Sequence, residues 1–379
     1  MRLLPLLTFT LTLTSAMSAS QLVFIGTYTN KDVPSKGIYA VRMDATTGKL
    51  SEPVVAAETP NPTFLAWRPD HRVLYAPGEG PGPAGKTSGG AAAFGFDATA
   101  GQLTLPNARG AGGGGTTMLS TDATARMLVT VAYGSGQVAS FPLSADGRIG
   151  ERTSFIPHQG PLGPNKGRQD KPHPHSVTFS PDNRFALVAD LGLDRVFVYR
   201  VDPATATLTP HEPACVSTPP GSGPRHTKFS RDGKFFYILN EIDGTVTACA
   251  YDAARGVATP IQTLSTLPAG FVVKDPDRAA EIRVHPNGKF VYASNRGHDS
   301  IAVFRVDPAS GRLTFAGADP TLGKTPRFFT LSPNGATLFA LNEESDTIVA
   351  LRVDRETGRL SSLQAPVKCG SPVCMVFSS

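Results

Sequence analysis

Short segments in which apolar and polar residues alternate recur along the chain, and tight turns separate them. The pattern is clearest over residues 171–307, where one unit occurs three times, beginning at Lys171, Gly223 and Ala279. Each unit contains an alternating segment, a turn, a hydrophobic segment that ends in polar residues, a second turn, and an alternating segment that ends in Asp. Alternation with period two predicts β-strands, and no long stretch has the 3.6-residue period of an amphipathic helix.

The same turns recur outside the three clear copies, at intervals of about 50 residues. Their Pro, Asn, Asp and Gly residues suit the backbone angles of hairpins. The turns begin at Arg68, Ser120, Ser180, Ser230, His285 and Ser332. An interval of this length allows about four strands per unit, and four-stranded units in series are typical of propeller blades.

The two ends of the chain complement each other. The N-terminal unit, which starts near Leu22, lacks the first strand of the repeat, and the C-terminal segment from Pro372 to Phe377 matches a first strand. We therefore predict an all-β fold, a seven-bladed β-propeller in which the C-terminal strand joins the N-terminal blade. Such closure leaves no exposed sheet edge between the two ends of the ring.

The first 19 residues differ from the repeats, because they contain one Arg, an apolar Thr-rich stretch and then small residues. This order is typical of a secretory signal peptide, and the apolar part is short for a membrane span. We expect residues 1–19 to be a signal peptide and residues 20–379 to form a single propeller domain. The mature protein would then be exported, periplasmic or secreted, and not bound to the membrane. An uncleaved anchor is the competing interpretation.

Charge and cysteine content narrow the classes of function. The net charge is +5 without a basic run, so we expect no nucleic-acid partner, although a mild positive charge favours small anions. None of the four cysteines belongs to a cluster with zinc-ligand spacing. Cys369 and Cys374 are close enough in sequence to pair across a turn, which spacing alone does not decide. We interpret all four as structural or inert thiols.

Aligning the repeats places polar residues at two recurrent positions, one in the first strand and one at the end of the second. The first position holds Thr63, Gly115, His175, Arg225, Ala280, Arg327 and Val373. The second holds Tyr28, Glu79, Tyr133, Asp190, Glu241, Arg296 and Glu343. In a propeller both positions lie near one mouth of the central channel. Structural ion pairs would explain them, but the crowding of His, Arg and Glu into three adjacent blades favours a binding or catalytic site.

Two other patterns suggest different chemistry. Residues 80–87, GPGPAGKT, match the formal pattern of a phosphate-binding loop, but two prolines remove donors and a strand follows instead of a helix. We therefore interpret them as a loop between strands. His173 and His175 could form a metal pair with Glu241, but an intervening proline and the cation Arg225 disfavour it. We expect no metal and no cofactor. The sequence contains no Gly-x-Ser-x-Gly elbow, the motif that would indicate a serine nucleophile.

Five segments together resemble the lactonase family of seven-bladed propellers, which includes bacterial 6-phosphogluconolactonase and fungal carboxy-cis,cis-muconate cyclase. They are HPH at His173, GPRH at Gly223, LNE at Leu239, SNRGHDSI at Ser294 and LNEESD at Leu341. The resemblance extends over essentially the whole mature chain, and it implies a lactone hydrolase acting on a sugar-acid or other anionic lactone. APGEG at Ala76 and AYGSG at Ala132 depart from the family pattern, so we expect blades two and three to shape a different pocket rim.

The resemblance also implies site residues. The catalytic groups are His175 (or His173), Arg225, Glu241 and Arg296. In this interpretation Glu241 or His175 activates water, and the two arginines hold the carbonyl oxygen or an anionic group. We expect further substrate contacts from His173, His226, Asp190, Arg327 and Glu343. The same groups would serve a cycloisomerase, and a non-catalytic propeller that binds a ligand or protein is the third alternative.

Overall fold

The structure, a computed structural model, describes residues 20–29, 33–81, 87–98, 100–274 and 278–378. Within these ranges 29 β-strands form seven antiparallel sheets that follow one another around a central channel, which confirms the predicted seven-bladed propeller. The expected signal peptide, residues 1–19, lies outside the described residues. No helix in the described part of the chain is long and apolar enough to cross a membrane.

Each sheet is one blade, and the blades are numbered from the N-terminus. Blade 1 consists of β1 (Ser20–Thr27), β2 (Gly37–Asp44), β3 (Val54–Glu58) and the C-terminal strand β29 (Pro372–Phe377). Blade 2 consists of β4 (Ala66–Trp67), β5 (Val73–Pro81), β6 (Thr87–Asp97) and β7 (Gln102–Gly113). Blade 3 consists of β8 (Thr116–Thr121), β9 (Met127–Ala132), β10 (Gln137–Pro142) and β11 (Ser154–Pro157).

The remaining four blades follow in chain order. Blade 4 consists of β12 (Pro174–Phe179), β13 (Phe185–Asp190), β14 (Arg195–Asp202) and β15 (Thr207–Ser217). Blade 5 consists of β16 (Pro224–Phe229), β17 (Phe235–Asn240), β18 (Thr245–Asp252) and β19 (Val257–Ser265). Blade 6 consists of β20 (Arg278–Val284), β21 (Phe290–Arg296), β22 (Ser300–Val306) and β23 (Leu313–Pro320). Blade 7 consists of β24 (Pro326–Leu331), β25 (Thr337–Asn342), β26 (Thr347–Val353), β27 (Leu360–Ser362) and β28 (Val367–Lys368).

The ring closes where the two ends of the chain meet. Strand β29 pairs antiparallel with β1, so that Phe24 lies opposite Val376 and β29 becomes the innermost strand of blade 1. The backbone N–H of Leu65 in blade 2 donates to Cys374 Sγ on β29 at 3.2 Å. The predicted closure is therefore confirmed, and it replaces two free sheet edges with backbone pairing.

The second strand of a blade lies between two neighbouring blades. Every residue of β9, β13, β17 and β25 is buried, which explains why these segments are mostly hydrophobic. On β17 the Tyr237 hydroxyl reaches the next blade and donates to the carbonyl oxygen of Gly311 at 3.2 Å. Gly311 has a φ of 68°, and an added Cβ would lie 2.2 Å from the Phe235 ring. Packing between blades therefore requires this turn glycine.

The first strands line the channel in three layers. In blade 5 the pairing of β16 with β17 shifts between Pro224 and His226, so Arg225 and His226 both border the channel. The upper layer holds Thr63, Thr117, His175, Arg225, Ala280, Arg327 and Val373. The middle layer holds Phe64, Met118, Ser176, His226, Glu281, Phe328 and Cys374. The lower layer holds Ala66, Ser120, Thr178, Lys228, Arg283, Thr330 and Val376.

The sequence alignment of blade 3 was wrong in register. Thr117, and not Gly115, lies in the β8 bulge at the position that His175 occupies in β12. The glycine run that begins at Gly110 was expected to be a flexible loop between blades, but β7 continues to Gly113. The register error arises because the turn of blade 3 begins at Asp122, whose N–H donates to the Met127 carbonyl as that of Ser180 donates to the Phe185 carbonyl, and not at Ser120.

Asp190 was also assigned to the wrong position. It pairs with Pro174 on β12, as Asn240 pairs with Pro224 on β16. Asp190 therefore corresponds to Asn240, and not to Glu241 as the alignment proposed. A shift of one residue moves a side chain to the other face of a strand, so this error changes what Asp190 contacts.

Residues 80–87 do not form a strand-to-helix phosphate loop. Strands β5 and β6 pair antiparallel as far as Pro81 and Thr87, so the segment joins two strands of one blade. Residues 82–86 themselves lie outside the described part of the chain. The pairing agrees with the interpretation of this segment as a loop between strands.

All four cysteines are free thiols. Burial raises the pKa of Cys249, Cys369 and Cys374 to about 12. These three thiols are therefore protonated at neutral pH, and a protonated thiol is a poor nucleophile. The structure thus agrees with inert, structural cysteines.

Candidate active site

A pocket of about 450 Å³ opens at the upper mouth of the channel, which is a size suited to a small molecule. Its charged and aromatic lining residues are Tyr28, Tyr133, Arg168, His175, Glu241, Arg296 and Arg327. All but Arg168 come from the starts of first strands or the ends of second strands. The propeller framework itself therefore brings them together.

Glu241 is the centre of an ion-pair network in this pocket. Its carboxylate oxygens lie 2.5 Å from Arg168 Nη2, 2.8 Å from Arg225 Nε and 3.1 Å from Arg296 Nη2. Burial alone would raise the Glu241 pKa, but Arg296 and Arg225 hold it well below its usual range. Glu241 is therefore an ionised carboxylate held by three cations, which makes it a weak base and a rigid anchor for the arginines.

Local chain geometry brings Arg225 next to Glu241. The Glu241 N–H donates to the Gly223 carbonyl at 2.7 Å, and Arg225 lies in the bulge that follows. The Arg225 guanidinium donates to Glu241 and to the Ala280 carbonyl, and the residue is only 3% exposed. Burial, and then Arg296, lower its pKa to about 9. We expected Arg225 to reach into the pocket, but it lies behind the pocket wall and holds Glu241 in place.

His175 lines the pocket and makes no hydrogen bond to any described residue. It is 4% exposed, and its Nδ1 has no partner among the described residues. Its ring packs edge-on against Tyr133 and His226, with centroid distances of 5.6 and 5.2 Å. Burial, and then the charge of Arg225, hold the His175 pKa well below its usual value of 6.5, so the imidazole is neutral at pH 7. A neutral imidazole with an unpartnered nitrogen can accept a proton.

Arg327 and Arg296 complete the charged lining. Arg327 donates to the Tyr28 hydroxyl at 2.8 Å, and its Nη1 is 3.7 Å from Glu343. Burial would lower the Arg327 pKa, but Tyr28 and Glu343 raise it. The side chains of Arg327 and Arg296 are 22% and 13% exposed, so both keep part of their surface open. Glu343, a predicted substrate contact, pairs with Arg327 and does not line the pocket.

His173 supports the pocket without lining it. Its Nδ1 lies 2.8 Å from the Tyr133 carbonyl oxygen, and its Nε2 lies 2.9 Å from an Asp170 carboxylate oxygen. Its ring stacks on the Tyr133 ring at a centroid distance of 4.1 Å. The predicted substrate contact is therefore a residue that orients Tyr133. Of the two histidines left open by the sequence, the pocket contains His175.

Asp190 does not reach the pocket, contrary to the predicted substrate contact. It is fully buried and accepts backbone N–H donors of His173, Gly192 and Leu193 at 2.9, 3.0 and 3.2 Å. Its other carboxylate oxygen is 2.7 Å from His158 Nδ1. Asp190 therefore stabilises the turn after β13, which follows from its correspondence to Asn240.

His226 lies below the pocket, in the middle layer of the channel. Its Nδ1 is 2.9 Å from the Glu281 carboxylate, and burial lowers its pKa to about 4 despite this neighbour. His226 does not line the pocket, which is contrary to the predicted substrate contact. The His226 ring instead packs against the ring of His175.

The rest of the pocket wall is made of threonines, glycines and one asparagine. They are Asn61, Thr63, Gly115, Thr116, Thr117 and Gly134. Gly115 has a φ of 72°, and an added Cβ would lie 2.9 Å from the backbone of Gly134. Only glycine allows these two segments to approach so closely, and the result is open space beside the charged residues.

Comparison with known proteins agrees with this arrangement. The sequence profile of the family described as "Lactonase, 7-bladed beta-propeller" matches residues 22–377. The chain belongs to this family. The 6-phosphogluconolactonase of Bacillus subtilis is 36% identical over 306 residues, which cover 81% of this chain and 83% of that protein. The 6-phosphogluconolactonase of Formosa agariphila is 33% identical over 312 residues, which cover 82% and 86% of the two chains.

A solved structure agrees as well. The periplasmic gluconolactonase of Pseudomonas aeruginosa has a TM-score of 0.85 and 35% identity, over 95% of this chain and 99% of that one. Together with the family match, these relatives confirm the resemblance and the prediction of a lactone hydrolase.

Arg168 is the charged pocket residue of this lactonase that the sequence alignment missed. It lies in the long connection between β11 and β12, and its Nη2 also donates to the Tyr133 hydroxyl at 3.3 Å. Burial would lower its pKa, but Glu241 raises it, and the hydrogen bond to Tyr133 acts in the same direction. A residue that occurs in one connection leaves no trace in a repeat alignment. The unusual length of that connection is the only sequence signal.

In the described part of this lactonase, no group of three or more His, Cys, Asp or Glu side chains has the geometry to hold a metal ion. The groups that the pocket offers to a ligand are guanidinium, imidazole, phenol, carboxylate, hydroxyl and amide. These groups can move a proton and can bind oxygen atoms that carry negative charge.

Proposed function

We propose that the pocket hydrolyses the lactone of a sugar acid that carries an anionic group. The observation that carries the proposal is that His175, a neutral imidazole without a hydrogen-bond partner among the described residues, lines the pocket beside partly open arginines, Arg296 and Arg327. Lactone hydrolysis needs a base to activate water and cations to hold the oxygen on which charge develops. The pocket has the size and both kinds of group.

Charge in and around the pocket supports an anionic substrate. The network contains four arginines against two glutamates, an excess of two positive charges: Arg168, Arg225, Arg296, Arg327, Glu241 and Glu343. A phosphate dianion would balance this excess and would accept bidentate hydrogen bonds from arginine. The curated relatives are named for a phosphorylated gluconolactone, whereas the Pseudomonas aeruginosa structure is named for gluconolactone. The charge excess favours the phosphorylated class.

In the proposed reaction a water molecule attacks the lactone carbonyl carbon while His175 accepts the proton of that water. Negative charge develops on the carbonyl oxygen, which Arg296 stabilises by hydrogen bonding. The bond from the carbonyl carbon to the ring oxygen then breaks, and the ring oxygen takes the proton from His175. The product is the open-chain hydroxy acid. Arg168 and Arg327, whose side chains are 26% and 22% exposed, bind the anionic group of the substrate.

Substrate binding would also strengthen the proposed base. The charges of Arg225 and Arg327 are among the causes that depress the His175 pKa. An anion bound beside them would offset part of that charge and raise the pKa of His175 while substrate is present. Glu241, which is already neutralised by arginines, has a positioning role in this proposal and holds the cations in place.

Turnover of two lactones by the purified protein tests the proposal. We expect hydrolysis of 6-phosphogluconolactone, with a kcat/KM at least about tenfold above that for unphosphorylated glucono-lactone, because only the first provides a partner for the excess charge. Acid release in a weakly buffered assay measures both rates, with buffer alone as the control for spontaneous opening. Equal kcat/KM values would contradict an anionic substrate, and no rate above the control would contradict catalysis.

We also propose that the protein is exported. The apolar stretch of residues 1–19 and the periplasmic location named for the Pseudomonas aeruginosa structure support this. N-terminal sequencing of the protein from the periplasm or medium should find a mature start near Ser20. Protein that keeps Met1 and remains in the cytoplasm would contradict export.

A further inference from the structure

A second cavity opens at the lower mouth of the same channel, and the proposed reaction does not use it. Its volume is about 480 Å³. It is bordered by the lower and middle layers of the inner strands and shares no lining residue with the upper pocket. Two of its lining residues are cationic, Lys228 on β16 and Arg283 on β20. These strands are neighbours in the ring and hold the two residues in the same layer.

The two cations are incompletely paired. Lys228 has no hydrogen-bond partner and no ion-pair partner among the described residues. Arg283 has a buried Nε without a hydrogen-bond partner, 3.6 Å from the Glu281 carboxylate, and its guanidinium lies 5.0 Å from the centre of the Phe328 ring. A partly buried cation that lacks an anionic partner is costly, because it has given up water without a replacement.

Glu281 is the only carboxylate among the middle- and lower-layer residues, and it is already engaged. It is fully buried, lies 2.9 Å from His226 Nδ1, and accepts the backbone N–H of Ile282 at 3.0 Å. Because burial lowers the His226 pKa to about 4, that ring is neutral at pH 7. Lys228, Arg283 and Glu281 together therefore carry one positive charge in excess.

The rest of the cavity wall carries the hydroxyls of Ser120, Thr121, Thr178 and Thr330 and a larger set of apolar side chains. Residues that contribute to it include Phe64, Val177, Phe179, Phe328, Met375 and Phe377. An inorganic ion would lose its hydration against such a wall, whereas a carbon skeleton would bury apolar surface there. The wall and the two cations together suit a molecule with a negative head and an apolar body.

We propose that the lower mouth of the channel binds a small organic carboxylate, whose carboxylate group lies between Lys228 and Arg283 and whose carbon skeleton packs on the apolar wall. The site is separate from the upper pocket and does not depend on the activity proposed there. One carboxylate would balance the excess charge of the lower cluster. It would also supply the acceptor that Lys228 lacks.

The protonation of Lys228 makes this binding sensitive to pH. Burial, and then the charge of Arg283, lower the Lys228 pKa to about 8. The other titratable groups that face it are Glu281, whose pKa is lowered far below its usual range, and Cys374, whose pKa is raised to about 12. Neither changes protonation between pH 7 and 9, and neither does His226. Carboxylate affinity should therefore fall across this interval as Lys228 loses its proton.

Calorimetric titration with hexanoate at constant ionic strength tests the proposal. We expect one site per chain in the wild-type protein, weaker binding of acetate, and no binding of the neutral isostere hexanamide. Lys228→Met should weaken hexanoate binding roughly 10- to 100-fold, the loss expected for a charged hydrogen bond. Lys234→Met, the same change at an exposed lysine of blade 5, should leave it unchanged.

The upper pocket also contains cations, so a second variant is needed to show which of the two cavities binds hexanoate. Arg296→Gln should retain hexanoate binding, because Arg296 lines only the upper pocket. Loss of binding in Arg296→Gln but not in Lys228→Met would overturn the proposal. So would equal binding of hexanamide and hexanoate, or no hexanoate binding to the wild-type protein. Because Lys228→Met removes an unpaired cation, its melting temperature should not fall, and a clear fall would assign Lys228 a structural role instead.

Discussion

The upper pocket of this lactonase has two unlike sides. The first-strand position that holds His175 in blade 4 and Arg225 in blade 5 holds Thr117 in blade 3 and Thr63 in blade 2. The backbone repeats, and only the side chains change. The charged side, formed mainly by blades 4 to 7, provides a base and cations, whereas the side of blades 2 and 3 provides space. One framework therefore supports two tasks, because each blade contributes side chains independently of the others.

The largest expected effect comes from comparing substitutions at the same first-strand position on the two sides of the pocket. His175→Gln removes the proposed base and should lower kcat about 10²–10⁴-fold, the usual contribution of general base catalysis. Thr117→Ala, the matched change on the other side, should alter kcat by less than about tenfold, because it removes only neutral hydrogen bonds, to the Gly115 carbonyl and from the Tyr133 N–H. Lactone turnover and thermal melts of both variants measure this. Comparable losses of kcat in both would abolish the distinction between the sides.

Arg296→Gln should give the next largest effect. If Arg296 stabilises the developing oxyanion, kcat should fall about 10²–10³-fold while KM changes little. Steady-state kinetics on 6-phosphogluconolactone separate the two constants. An increase in KM with unchanged kcat would instead assign Arg296 to binding of the anionic group.

Arg168→Gln should act on substrate affinity. Loss of a charged contact to the anionic group should raise KM roughly 10- to 100-fold for the phosphorylated lactone. The effect on an unphosphorylated lactone should be small. Lys166→Gln, a change of an exposed cation in the same connection, is the control for long-range charge effects. A similar KM increase in both variants would mean that Arg168 acts through the general field and not through contact.

A smaller effect is expected on the side that provides space. Gly115→Ala places a Cβ at positive φ, 2.9 Å from the backbone of Gly134, and should cost about 1–2 kcal/mol of stability. Gly114→Ala is the matched control, because an added Cβ there meets nothing within 4 Å. Denaturant unfolding of the two variants compares them. Equal free energies of unfolding for the two variants would show that the backbone of Gly134 leaves room for a Cβ at position 115.

The smallest expected change is in the pH profile. Because burial and Arg225 hold the His175 pKa well below its usual value of 6.5, kcat/KM should vary by no more than about twofold between pH 6.5 and 8. It should fall at lower pH as His175 gains a proton. The free energy of unfolding should depend on pH in the same direction as kcat/KM. The contribution of the buried neutral His175 ring to stability is fully present above pH 6.5 and is lost progressively below that value. An acid limb centred at or above pH 6.5 would contradict a depressed pKa.

Much of the site could be predicted because it is repeated. His175 lies at the recurrent first-strand position, and Glu241 and Arg296 lie at the recurrent position at the end of the second strand, so their place at one mouth of the channel followed from the alignment of repeats. The motifs around them indicated the family before any geometry was known. The two registers that were wrong, at Gly115 and Asp190, lie in repeats whose turns or polar pairs differ from the others.

Arg168 and Arg225 show where the alignment reaches its limit. Arg168 lies in a connection that occurs once, so no repeat could indicate that it contacts Glu241, which is 73 residues away in sequence. Arg225 was at the expected position, but its burial depends on Ala280 of the next blade and on Glu241. Neither the direction of its guanidinium nor its distance from solvent is encoded in its own repeat.

The sequence by itself determined the ring of seven blades, its closure by the C-terminal strand, and the positions from which side chains can reach the channel. Alternation and turn chemistry are local properties, and they recur in each blade. Only the tertiary structure decided which polar groups are already paired, as in His226 with Glu281, and which remain open, as in His175 and Lys228. The physical reason is that pairing and desolvation depend on distances between blades, and residues more than 50 positions apart in sequence set those distances.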